Sequence, residues 1–151
     1  MDERAVVERQ LGRAPRAFRR VAVRCPFGNP AVTEQAPRDE RGDPFPTTFW
    51  LSCPHLVAAI SRLEAAGGVA RWTRAAKEDP ELEHSLREAN TLQRELRPEL
   101  DVGIGGSSRS GSLKCLHAHA AFALARPGYE LGNLILADAA PLWPRGCCCT
   151  Q

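Results

Sequence analysis

The chain has 151 residues, 43% of them hydrophobic, which suffices for one domain with a real core and is short for two. Its 20 basic and 18 acidic residues leave a net charge of +2, so bulk electrostatics do not indicate nucleic acid or an anionic membrane surface as a partner. No stretch approaches the roughly 18 apolar residues of a membrane span, and Met1-Asp2-Glu3-Arg4 leads into no apolar run of signal-peptide length. The expectation is a cytoplasmic protein, whose six cysteines read as thiols or metal ligands rather than a disulfide framework. Lysine occurs only at Lys77 and Lys114 amid many arginines and alanines, a composition expected of a GC-rich bacterial genome.

Residues 3–12 predict a short helix with Val6, Val7 and Leu11 on one side, ended by Gly12 and Pro15. Phe18 to Cys25 predicts a strand through Phe18, Val21 and Val23, and Ala31 to Gln35 a second one after the Gly28-Asn29-Pro30 turn; the two are expected to pair as a hairpin. Polar residues between Pro37 and Pro46 read as an exposed loop. Thr47 to Ser52, with Thr48, Phe49, Trp50 and Leu51, predicts a third strand. Cys53-Pro54 then opens a helix through Leu56, Ile60 and Leu63 that stops at Gly67-Gly68. A helix over Val69 to Lys77 follows. Asp79-Pro80-Glu81 starts another, with Leu82, Leu86, Ala89, Leu92 and Leu96 as its apolar stripe and Pro98 beyond its end. Gly103 to Gly111 reads as a polar connector, Lys114 to Ala125 as an alanine-rich helix, and Leu131 to Leu136 as a last helix stopped by Pro141 and Pro144. The fold class expected is α+β, a small antiparallel sheet from the N-terminal third packed against several helices. Residues 1–140 form the domain, and 141–151 a Cys-rich tail.

The chemistry concentrates at Lys114-Cys115-Leu116-His117-Ala118-His119. On a helix Cys115 and His119 are four residues apart and share a face, whereas His117 lies about 200° round from Cys115. Cys25 and Cys53 each precede a proline at the end of a predicted strand, so neighbouring strand ends would bring both thiols toward that helix. Cys25, Cys53, Cys115 and His119 are an acceptable donor set for tetrahedral zinc, ranked ahead of an iron–sulfur cluster. The competing reading makes Cys25 and Cys53 small buried hydrophobes and His119 a satisfied core histidine. A second class is a thiol-dependent enzyme using Cys115 or Cys53, although no Asn or Asp stands at a recognisable spacing to orient a histidine. A third is a phosphate or nucleic-acid module in which Gly105, Gly106, Arg109 and Lys114 surround an anion ahead of a helix start; the loop lacks the Lys-Ser/Thr ending of a Walker A sequence. His117, His55 and His84 are expected to be structural or exposed.

The stretches Leu11-Gly12-Arg13, Arg24 to Pro30, Pro44 to Pro54, Gly103 to Gly106 and Lys114 to His119 together resemble the bacterial domain-of-unknown-function family five hundred and one. That resemblance implies no established activity. It does imply recurrent Cys and His positions, which favours Cys25, Cys53, Cys115 and His119, and it implies cysteines near the C-terminus like Cys147, Cys148 and Cys149. Where the resemblance implies an Asn-Pro pair before Gly132, this chain has Tyr129-Glu130-Leu131. The functional expectation is a metal-binding protein with zinc as cofactor and no partner identified.

Overall fold

A computed structural model describes residues 2–107 and 113–146. Helix α1, Glu3–Leu11, is capped by the Asp2 carboxylate, which accepts the Arg4 N–H at 3.0 Å, and ends at Gly12 in the left-handed region. Strands β1, Phe18–Arg24, β2, Pro30–Gln35, and β3, Phe49–Leu51, form an antiparallel sheet in the order β1-β2-β3. The central β2 buries five of its six residues, as expected of a strand flanked on both edges. Outer strand β1 is irregular in register and carries Arg19 and Arg20, which pair with Glu34 at 3.4 and 2.7 Å. The expected hairpin is present. The third strand is shorter than Thr47 to Ser52, although Thr48 and Ser52 still bond Gln35 and Ala31 of β2. Pro46 on one side and the helix start at Pro54 on the other restrict the regular ladder to three residues.

Helices α2, Pro54–Ala65, α3, Gly68–Glu78, and α4, Pro80–Leu96, follow as predicted, and Asp79 caps α4 by accepting the Glu81 N–H at 2.9 Å. Helix α5, Leu116–Ala125, packs on β3 and against α2 and α6, Glu130–Asp138. Seven of its ten residues are buried; short alanines let a helix that is apolar all round sit at the centre. Where α6 crosses α5, a Cβ on Gly132 would lie 2.6 Å from the Ala123 Cβ and 2.6 Å from the Tyr129 ring, so only glycine permits that approach.

One core cluster joins the sheet to α2, α4, α5 and α6, through Val32, Leu51, Leu56, Ile60, Leu86, Phe122, Leu131 and Ile135. Buried Gln93 of α4 clamps the approach to β3, accepting from Thr48 Oγ1 at 2.8 Å and donating to the Pro46 carbonyl at 3.2 Å. Arg97, 3% exposed, donates to the Gln35 carbonyl and ties the end of α4 to β2. One expectation changes. Part of the polar connector is a 3₁₀ turn, Ile104–Gly106, fixed because Asn90 Oδ1 accepts the Ile104 N–H at 2.9 Å while the Ile104 side chain is buried. At the other end partly buried Leu142 and Trp143 pack against the core. Residues 147–151 lie outside the described residues. Among the described residues no helix is long and apolar enough to cross a membrane.

Candidate metal centre

The start of α5 is set by a tight turn. Lys114 takes a left-handed φ of +66°, and the Cys115 N–H donates to the Leu113 carbonyl at 2.7 Å. Cys115 is the N-cap of α5, with an extended backbone (φ −152°, ψ 120°), and not its first helical residue. The 100° per residue that placed Cys115 and His119 on one face therefore does not apply, because an N-cap residue lies outside the helical repeat. Its thiol turns instead to His117, with Sγ 3.9 Å from Nδ1.

Helix α2 completes the cluster. Ser61 and Glu64 are three residues apart and so share one helix face, directed at the His117 ring. Glu64 Oε2 lies 3.2 Å from His117 Nδ1 and also accepts the Leu116 N–H at 2.8 Å, while Ser61 Oγ is 3.0 Å from Nε2. Among the described residues, Glu64, Cys115 and His117 are the only three or more His, Cys, Asp or Glu residues whose ligand atoms all fall within 4.8 Å of one another. All three are half-buried. The His117 pKa is raised, first by the hydrogen bond to Cys115, which outweighs the opposing effect of burial, and then by the Glu64 carboxylate.

Of the quartet expected from the sequence, Cys25, Cys53, Cys115 and His119, only Cys115 belongs to the donor cluster found among the described residues. Cys25 and Cys53 do lie at the same end of the sheet: Cys25 follows β1 and donates its N–H to the Asn29 carbonyl, and Cys53 is the N-cap of α2. Both are buried. His119 is 1% exposed and has both ring nitrogens engaged, Nδ1 with the Tyr129 hydroxyl at 2.7 Å and Nε2 with the Leu113 carbonyl at 2.9 Å. A carbonyl can only accept, so Nε2 carries the proton and Nδ1 accepts from Tyr129. Burial drives the His119 pKa down to about 4, opposed by the Leu113 bond, and raises that of Tyr129. His119 therefore acts through the backbone: it holds the carbonyl that also closes the Cys115 turn.

Sequence reasoning missed His117 and Glu64. A Cys-x-His pair at a helix start was the available signal for His117; none existed for Glu64, which is brought in from another helix by packing. His84 is exposed and pairs with Glu88 at 2.7 Å, as expected, whereas His55 is half-buried.

Of the anion site expected from the sequence, Gly105, Gly106 and Lys114 fall among the described residues. Gly105 and Gly106 have φ of +69° and +79°, and Gly106 lies near the Lys114 ammonium, but the turn closes on itself. The N–H groups of Gly103, Ile104, Gly106 and Ser107 bond the Ser107 carbonyl, Asn90 Oδ1, the Gly103 carbonyl and the Ile104 carbonyl. Amides spent internally do not form an anion-binding nest. Arg109 lies outside the described residues.

Cys115 and His117 also form part of the wall of a cavity of about 400 Å³, lined by Leu11, Phe49, Trp50, Leu51, Val57 and Ala118, with Arg13 and Thr47 as further polar groups. Fold and site together define a small α+β protein with three potential metal donors beside an apolar cavity. A family model for proteins of unknown function, DUF501, matches residues 21–101, more than half of the chain, and the chain belongs to that family. No curated protein and no solved structure matches it. The matched segment contains Cys25, Cys53 and Glu64 and ends before Cys115 and His117.

Proposed function

We propose that the protein binds a divalent transition metal, zinc in the first place, through Glu64 Oε2, Cys115 Sγ and His117 Nδ1. The observation that carries this reading is the convergence of the three donor atoms, with Nδ1 3.2 Å from the carboxylate oxygen and 3.9 Å from the sulfur. Tetrahedral zinc with ordinary bond lengths separates neighbouring donors by about 3.5 Å, so little adjustment is required. Ser61 at Nε2 supports it, because a ligating imidazole is normally oriented by a partner on its other nitrogen. One thiolate among three donors suits zinc better than an iron–sulfur cluster, which is held mainly by cysteines. Three protein donors leave a position for water or a bound molecule, the pattern of catalytic rather than structural zinc.

The test is metal content by mass spectrometry on purified protein, with Cys115→Ala, His117→Ala and Glu64→Gln beside it. About one zinc per chain, lost in the Cys115 and His117 variants, supports the reading. Unchanged zinc in Cys115→Ala refutes it.

A second reading, a thiol-dependent reaction at Cys115, is favoured by the placement of the cysteine and His117 together on the cavity wall. It predicts rapid alkylation of Cys115 by iodoacetamide at neutral pH in chelator-treated protein, located by peptide mapping. Slow labelling at Cys115 after metal removal argues against it.

A further inference from the structure

We infer that the cavity beside Cys115 and His117 binds a small organic monocarboxylate with an apolar body, its carboxylate held by Arg13. The volume of about 400 Å³ falls within the roughly 300–1,000 Å³ of small-molecule sites. Four elements build the apolar part: Leu11 from α1, Phe49, Trp50 and Leu51 from β3, Val57 from α2 and Ala118 from α5. Such walls gain from burying an aliphatic or aromatic body and offer nothing to a sugar or a nucleotide phosphate.

Charge selects the head group. Among the described residues Arg13 is the one arginine or lysine lining this cavity, and its guanidinium carbon stands 5.9 Å from the centre of the Trp50 ring. Arg13 makes no ion pair among the described residues, in contrast to nearby Arg4 and Arg16, which pair with Glu40 and Asp39. A guanidinium resting on an aromatic wall, with its donor edge unspent, matches a planar carboxylate in a two-point contact. Glu64, the acid of the metal cluster, is not among the cavity-lining residues, and the acids that share a neighbouring surface pocket with Arg13 include Glu40 and Asp39, which are paired with Arg4 and Arg16.

The identity of the ligand class rests on Arg13 and the apolar wall; its presentation to a metal rests on the proposed centre. The two are tested separately. The probe is 3-phenylpropionate, titrated calorimetrically at pH 7 against its neutral amide, with zinc content measured on the same samples. Binding of the acid at least tenfold tighter than the amide, with that preference abolished in Arg13→Met, is the result expected. Arg13 is exposed, so the variant is expected to fold, and circular dichroism checks this. Equal binding of acid and amide, no binding of either, or a preference that survives in folded Arg13→Met overturns the inference. Zinc bound without carboxylate selectivity leaves the metal reading standing and this one refuted. Selectivity for the acid in protein that takes up no zinc gives the reverse.

Discussion

His119 offers a quantitative test of how the site is built. Its ring is 1% exposed and neutral, and its pKa falls from the usual 6.5 to about 4 because burial disfavours the charged form. Between those two pH values the unfolded chain binds a proton that the folded chain does not, so stability falls as pH falls. The effect is absent above about pH 6.5 and complete below about pH 4. At about 1.4 kcal/mol per pH, the interval corresponds to a loss of about 3 kcal/mol, a large part of a domain's typical 5–15 kcal/mol. Urea unfolding between pH 7.5 and 4.5 measures the slope, and His119→Gln should remove His119's share of it. The imidazole nitrogens report the cause directly by NMR: Nε2 protonated and Nδ1 bare at pH 7, unchanged down to about pH 5. A His119 signal titrating near 6.5 would refute the argument. His117, with its raised pKa, behaves in the opposite sense: its contribution is fully present below 6.5 and is lost as pH rises through the folded value. In metal-free protein the two histidines of one helix should therefore titrate on opposite sides of 6.5.

Further outcomes follow from single contacts. Ser61→Ala removes the partner of His117 Nε2 and should weaken zinc binding roughly 10–100-fold, measured by chelator competition, with little loss of stability because Ser61 is exposed. Gly132→Ala forces a methyl to within 2.6 Å of Ala123 and of the Tyr129 ring. Overpacking of about 1–3 kcal/mol exceeds the gain in helix propensity of about 1 kcal/mol, so the urea midpoint should fall, and a rise would contradict the close α5–α6 approach. Gln93→Leu leaves the Thr48 hydroxyl and the Pro46 carbonyl without their α4 partner and should cost about 1–3 kcal/mol in unfolding free energy. An unchanged value would show that α4 does not clamp the lead into β3.

Much of the architecture was legible because its causes are local. Asp79-Pro80-Glu81 starts a helix by capping and fixed φ wherever the chain places it, and the apolar residues after Cys53-Pro54 repeat at helical spacing. The hairpin follows from the turn at Gly28-Asn29-Pro30 and the alternation before it. The regular part of β3 was overestimated because propensity does not register where a partner strand ends. The 3₁₀ turn at Ile104 escaped for a related reason: it is fixed by Asn90, a residue of α4.

The site divides along the same line. The sequence by itself determined that Cys115 stands at the start of an alanine-rich helix with two histidines close behind, since that depends on neighbours in the chain. Which histidine meets the thiol depends on a single backbone residue: with Cys115 extended as the N-cap, the helical wheel begins one position later and His117, not His119, is its neighbour. Only the tertiary structure decided the rest. Packing of α2 against α5 delivers Glu64 and Ser61 to His117, and packing of α6 delivers Tyr129 to His119, because contacts between helices depend on side chains from distant segments meeting in a common core.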